Sequence, residues 1–223
     1  MFLWGLWVLW LGLRLEGEFW RALRLVRDER FRRRLEKFLR KALKRLEAEG
    51  LSFFEAPAGR SQHHAYPGGL AQHTLSTLRI ALAMVEAVAR FYGFRGVNRD
   101  YVVAGVLLHD LYKPLTYRPL AEGGYEFSKL GSRLDHLTLL LVDASKAGFP
   151  LDFLHVLAAS HGEWGPMPPR TIEALIVHLA DLADSRFAGQ VARAAQNILK
   201  GEGKPVPPAL TVREALKVIA GEA

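Results

Sequence analysis

The chain has 223 residues, half of them apolar, with no cysteine and a formal net charge of +7. That length holds one domain of about 150–170 residues plus an appendage, and a core of that size buries roughly 70% of its unfolded surface. The lack of cysteine excludes disulfides and thiolate metal sites, is compatible with a cytoplasmic protein, and leaves nitrogen and oxygen as the donors for any metal: manganese, iron, cobalt, nickel, zinc or magnesium.

Residues 1–13 (MFLWGLWVLWLGL) are a charge-free apolar run with three of the five tryptophans. As a helix the run reaches about 20 Å, short of the ~30 Å hydrocarbon core. It also lacks the basic start and small-residue cleavage site of a secretory signal. Three readings stay open: an interfacial anchor, making a cytoplasmic protein peripheral to the membrane; a helix packed on the domain or a partner protein; or a start codon assigned too far upstream.

Residues 14–50 follow as a basic amphipathic helix. Phe19/Trp20, Leu23, Val26, Phe31, Leu35, Phe38/Leu39, Leu43 and Leu46 recur at helical spacing, Arg and Lys fill the other face, and Gly50 is the stop. Residues 14–49 carry 13 of the 30 Lys and Arg and 7 of the 23 Asp and Glu, a balance of +6 that leaves +1 for the rest. Arg32, Arg33, Arg34, Lys37 and Lys41 are the candidates for sequence-independent nucleic-acid contact, an attraction that salt weakens. A plain solvated face is the alternative.

A helical domain is expected over residues 51–202, and a linker with a last helix over 203–223. Pro67-Gly68-Gly69 opens a long helix to about Tyr92, and Asn98 caps the next, to roughly Leu111. Residues 114–128, with Pro119 and Gly123-Gly124, form a loop or short hairpin. Ser132 caps a helix carrying Asp135 in its first turn, and another runs from about Leu151 to Ser160 and ends at Gly162. Pro168-Pro169 precedes a helix of nearly thirty residues, and Thr211-Val212-Arg213-Glu214 is a capping box for the last. No convincing β-alternation appears outside the loop, so the fold class is all-α.

On these helices lies an ordered set: His73, then His109-Asp110, then His136, His161 and Asp181. His73 shares an inward stripe with Leu70, Thr77 and Ala81. His109 and Asp110 come at the end of an apolar helix, and Asp181 continues the stripe of Ala174, Val177 and His178. Burying unpaired carboxylates is costly, and a metal ion is one of the few partners able to satisfy several together. The pattern points to a metal-dependent hydrolase. His155 and His161 stand about 120° apart on a helix, so one face cannot present both, and His161 beside Gly162 is the better candidate. His178 could orient a ligand by a hydrogen bond from behind, or simply pack.

The set resembles the HD-domain metal-dependent phosphohydrolases, and more closely the HD domain of YhaM-type 3′→5′ exoribonucleases. Ala56-Pro57-Ala58, His63-His64-Ala65-Tyr66-Pro67-Gly68-Gly69-Leu70, His73, Ala104-Gly105-Val106-Leu107-Leu108-His109-Asp110, Lys113, His136, Ser160-His161-Gly162-Glu163-Trp164-Gly165 and Val177-His178-Leu179-Ala180-Asp181 carry the likeness over residues 51–187. It implies an HD-type helical bundle with His73, His109, Asp110 and Asp181 on one divalent ion. Asp110 would bridge to a second ion held by His136 and His161, with manganese favoured. Asp110 and Lys113 would be the catalytic residues, the lysine adding charge for phosphate. Apart from the resemblance, His63 and His64, just before the Gly68-Gly69 turn, are candidate phosphate or ligand contacts, and the Tyr112 ring is a candidate surface for stacking a base.

The chain departs from the resemblance in three places. The oligonucleotide-binding OB domain has no counterpart in residues 1–50, Ser160 stands where relatives often carry another histidine, and Tyr112 replaces the glycine of His-Asp-x-Gly-Lys. The implied activity is hydrolysis, by metal-activated water, of a phosphodiester in a nucleotide or single-stranded nucleic acid. A nucleotidase or nucleoside triphosphatase is a second reading. A third is a metal-stabilised HD binding module, akin to the HD-like domain of conjugative relaxases, that catalyses nothing.

Overall fold

The computed structural model describes residues 14–61, 63–121, 123–207 and 209–222. The apolar run 1–13 lies outside the described residues, and among these no helix is long and apolar enough to cross a membrane. Residues 14–23 are helical (α1). The remaining helices are α2 (Glu29–Glu49), α3 (Gly69–Phe91), α4 (Arg99–Leu108), α5 (Lys113–Thr116), α6 (His136–Lys146), α7 (Leu151–Ala158), α8 (Ile172–Gly201) and α9 (Val212–Ile219). A two-stranded antiparallel hairpin, β1 (Tyr117–Pro119) and β2 (Tyr125–Phe127), pairs Tyr117 with Phe127. The all-α expectation holds, and the hairpin falls within residues 114–128, where a loop or short hairpin is expected.

The basic N-terminal segment differs from a single helix: it breaks between residues 23 and 29. Asp28 caps α2, accepting a bond from Phe31 N. The Asp100 carboxylate accepts from the backbone of Arg27 and Asp28 at 2.9 and 2.8 Å. Arg99 and Arg32 donate to the freed carbonyls of Leu25 and Val26. Periodicity alone could not show the break, because the apolar stripe stays in phase across it and the groups that satisfy the exposed backbone come largely from a distant helix. Phe19, Leu23, Phe31, Leu35 and Phe38 join the same core as Val106, Leu107 and Phe153.

α3, α4 and α8 form the centre of the bundle, with α7 against α4 and α6 against α7. Gly105 lets them close up: a Cβ there would stand 2.7 Å from a Val156 methyl and 3.2 Å from one of Val177. The contact brings the end of α4 against α7 and α8, each of which leads to or carries a histidine or aspartate of the ordered set. Two boundaries also moved. α4 stops at Leu108, so His109-Asp110 occupies the turn beyond it. Asp135, not Ser132, caps α6, accepting from Thr138 N at 2.8 Å. Asp135 is the better cap because its carboxylate also takes the Thr138 hydroxyl at 2.6 Å. The capping box of α9 is as expected, and Val191, Ala195 and Ala215 seal that helix onto the end of α8.

Candidate metal centre

Five elements deliver the ordered histidines and aspartates to one place. His73 comes from α3, His109 and Asp110 from the α4–α5 turn, and His136 from the first residue of α6. His161 comes from the turn after α7, and Asp181 from α8. His73 Nε2 lies 3.1 Å from Asp181 Oδ1, 3.2 Å from His109 Nε2 and 3.5 Å from Asp110 Oδ2. On the other side, Asp110 Oδ1 lies 3.2 Å from His136 Nε2 and 3.4 Å from His161 Nε2, and these two nitrogens are 3.0 Å apart. Asp110 therefore stands between two imidazole pairs, one oxygen toward each.

The donor set fits divalent cations. His73, His109 and Asp181 form one group that could hold a metal ion, and Asp110, His136 and His161 another. Both oxygens of Asp110 are buried and accept no well-aligned hydrogen bond, although Lys113 Nζ lies 2.6 Å from Oδ2. A buried carboxylate left that way is costly unless a cation meets it. The tautomers agree. His73 Nδ1 donates to Asp184 at 2.7 Å, His109 Nδ1 to the Val106 carbonyl at 2.7 Å and His161 Nδ1 to Asp181 Oδ2 at 3.1 Å. With the proton held on Nδ1, each Nε2 turns a bare lone pair inward. Lone pairs facing each other at 3.0–3.2 Å repel unless a proton or a metal ion lies between them.

The electrostatics without a cation follow the same logic. Burial alone would depress His73, but hydrogen bonds to Asp181 and Asp184 outweigh it and raise its pKa to about 9. For His161 burial is likewise outweighed, by Asp110 and Asp181, again to about 9. Burial pushes His109 and His136 down. Burial opposes the charges of Asp110 and Asp181, yet the neighbouring cationic groups hold both carboxyls well below the usual range, Lys113 first for Asp110 and His161 first for Asp181. The centre is built to be anionic at its carboxylates and to bind positive charge.

Asp184, one turn after Asp181 on α8, was missed in the sequence. It sits 2.7 Å from His73 Nδ1 and 2.9 Å from His64 Nε2, while His64 Nδ1 lies 2.8 Å from the Tyr66 hydroxyl. The signal was the i, i+3 spacing of two aspartates on one helix. Asp184→Asn is expected to weaken metal affinity by about 10- to 100-fold, the usual cost of losing a group that orients a ligand. Metal titration by calorimetry on the folded variant checks it, and an unchanged affinity would remove Asp184 from the centre.

Several expected contacts lie elsewhere. His64 is 5% exposed with both ring nitrogens engaged, Nε2 on the same Asp184 oxygen that His73 uses, so neither nitrogen is free for another contact. Tyr112 is buried, its hydroxyl donating to Asp143 at 2.9 Å under Arg45, so it offers no free ring to a base. Tyr112 and Lys113 are neighbours in this turn yet point to different sides, one to Asp143 and the other to Asp110. Of the basic residues, Arg32 donates to Val26 O, Arg33 pairs with Glu29 and Arg34 donates to Gly148 O. Lys37 and Lys41 line a separate groove with Arg45 and Lys146.

His63 does reach the open side. It lines a cleft of about 330 Å³ with His161, Trp164 and Asp181, and its Nε2 is buried without a partner among the described residues. Burial first, then Lys113, pushes its pKa to about 3. Lys113 is 8% exposed and reaches Asp110. His155 is occupied by Met167 Sδ and Arg170 N, away from the centre. His178 bonds the Ser160 carbonyl at 3.2 Å and packs where a side chain on Gly162 would stand. Gly162 has φ +54°, so the turn that aims His161 needs glycine twice over, for its backbone and for the imidazole beside it.

The HD domain family profile matches residues 70–185. The chain is 39% identical over 174 residues to the dihydroneopterin 2′,3′-cyclic phosphate phosphodiesterase of Methanocaldococcus jannaschii, covering 77% of this chain and 69% of that protein. It is 32% identical over 179 residues to the 3′-5′ exoribonuclease YhaM of a Geobacillus species (75% of this chain, 52% of that protein) and 31% identical to that of Bacillus subtilis (75% and 53%). It thus spans about half the length of these exoribonucleases. No solved structure gives a significant match.

Proposed function

This chain belongs to the HD domain family of phosphohydrolases, and on that premise we propose that it is a metal-dependent phosphodiesterase acting on nucleotides or on the end of a single-stranded nucleic acid. One observation carries the reading: the two oxygens of Asp110 face separate imidazole pairs. A carboxylate so placed suits bridging two cations, the first with His73, His109 and Asp181, the second with His136 and His161. Divalent ions held there, manganese being the first choice by resemblance, would acidify water and offset charge on phosphoryl oxygens.

The protein's own groups do the rest. Asp184, Val106 and Asp181 keep the protons of His73, His109 and His161 on Nδ1, so that each Nε2 can offer its lone pair to a cation. Lys113 places an ammonium next to Asp110, available to a phosphoryl oxygen entering the centre. His63, neutral at physiological pH, lines the cleft, and its buried Nε2 has no hydrogen-bond partner among the described residues. Relatives that act on a cyclic phosphate and on RNA support a diester as the bond attacked.

The test is incubation with Mn²⁺ and two substrate sets, nucleoside 2′,3′-cyclic phosphates and 5′-labelled RNA. Opening of the cyclic phosphate or stepwise shortening of RNA is the expected result. Release of phosphate or pyrophosphate from nucleotides alone would favour a nucleotidase, and no hydrolysis under any divalent metal would overturn the enzyme reading.

A further inference from the structure

The cleft beside the centre does not end at the metal ligands. Its lining extends along α8 from Asp181 through Ser185, Arg186 and Gly189 to Arg193, and includes Trp164 in the short helical turn after His161. Trp164 is 82% exposed; its backbone N–H donates to the His161 carbonyl at 3.0 Å, while its indole makes no ring, cation–π or hydrogen-bond contact with the described residues. An indole held out in water beside the centre buries little of its surface in the free protein. The exposed guanidiniums of Arg186 and Arg193 form no ion pair and no side-chain hydrogen bond among the described residues, and both line this cleft. Unpaired guanidiniums and an idle flat ring, gathered on one cleft, match an aromatic anion.

Spacing sharpens this. At 1.5 Å rise per residue, Arg186 stands about 7.5 Å and Arg193 about 18 Å along α8 from Asp181. Helical side chains lean toward the N-terminus, so both arginines reach back toward the centre. Arg193 is too far along to hold the phosphorus that meets Asp110 and Asp181, and it shares a helix face with Arg186 seven residues before it, so the pair is placed for a second anionic group on the same ligand.

We propose, resting on the phosphodiesterase reading, that Trp164, Arg186 and Arg193 form a subsite for a nucleotide unit, in which the indole stacks on the base and the arginines bind a phosphate other than the one attacked. The ligand class is a nucleotide with phosphates on both sides of the sugar, as in a short single strand. A mononucleoside cyclic phosphate would fill the stacking half only.

Calorimetry on the manganese-loaded protein tests it with three ligands: adenosine 3′,5′-bisphosphate, adenosine 3′-monophosphate and inorganic phosphate. The bisphosphate should bind about tenfold or more tightly than the monophosphate. Arg186→Gln with Arg193→Gln should erase that advantage and leave the monophosphate unchanged. Trp164→Ala should weaken both nucleotides by about tenfold or more, as loss of one base–aromatic stack does, while Trp164→Phe restores them and inorganic phosphate is unaffected. Equal binding of the two nucleotides, or an advantage that survives both arginine changes, overturns the phosphate half. Unchanged binding in Trp164→Ala overturns the stacking half. Failure of the enzyme reading looks different: the wild type would bind these ligands and hydrolyse no diester.

Discussion

Asp110→Asn is expected to reduce diester hydrolysis by at least about a thousandfold and to lower the bound metal per chain. The change keeps the shape of the side chain and removes its symmetry. An amide has one oxygen and one NH₂, so it can face a cation on the His73–His109 side or on the His136–His161 side, never both. Lewis-acid stabilisation by a bound metal is worth several kcal/mol, and about 1.4 kcal/mol is tenfold in rate. The variant also leaves Lys113 buried beside a neutral group. Turnover and elemental analysis of the same preparation measure both effects. Retention of more than a tenth of wild-type turnover with full metal content would rule out the bridging role.

Chelation is expected to lower Tm by about 5–15 °C, reversed by added metal in a saturable way. A ligand present at 100 to 1,000 times its Kd stabilises the fold by about 2.7–4.1 kcal/mol. In a domain of this size each kcal/mol moves Tm by about 2–4 °C. The increment should widen with pH. In the metal-free protein His73 and His161 have pKa values raised to about 9, against about 6.5 in the unfolded chain. Groups raised in this way contribute stability that is complete below the unfolded value and is lost as pH climbs through the folded one. Between pH 6.5 and 9 the metal-free protein therefore weakens, while metal that has displaced those protons removes the loss. Scanning fluorimetry with and without chelator across that range measures it. A metal-independent Tm would mean that the cluster is held by protons alone.

The readable parts of this chain are those governed by local chemistry. Helical periodicity and caps located the helices: Asn98, Thr211 and the Pro67-Gly68-Gly69 entry stand where expected, and His73 faces inward as its stripe requires. The elements that escaped depend on partners far along the chain. The break before α2 is stabilised by Asp100, some seventy residues away, and Asp184 works only because α3 brings His73 and the preceding loop brings His64 against α8. His64 and Tyr112 show the limit of motif adjacency, since their neighbours His63 and Lys113 face the centre and they do not.

By itself the sequence determined the helical class, the nitrogen-and-oxygen donor chemistry and the roster of histidines and aspartates, because residue type and periodicity are local properties of the chain. Only the tertiary structure decided that Asp110 stands between two imidazole pairs, that Asp184 and His64 stand behind His73, and that Trp164, Arg186 and Arg193 share one cleft. Those are distances between helices remote in sequence, set by close approaches such as that at Gly105 and by which long-range hydrogen bonds can be satisfied together.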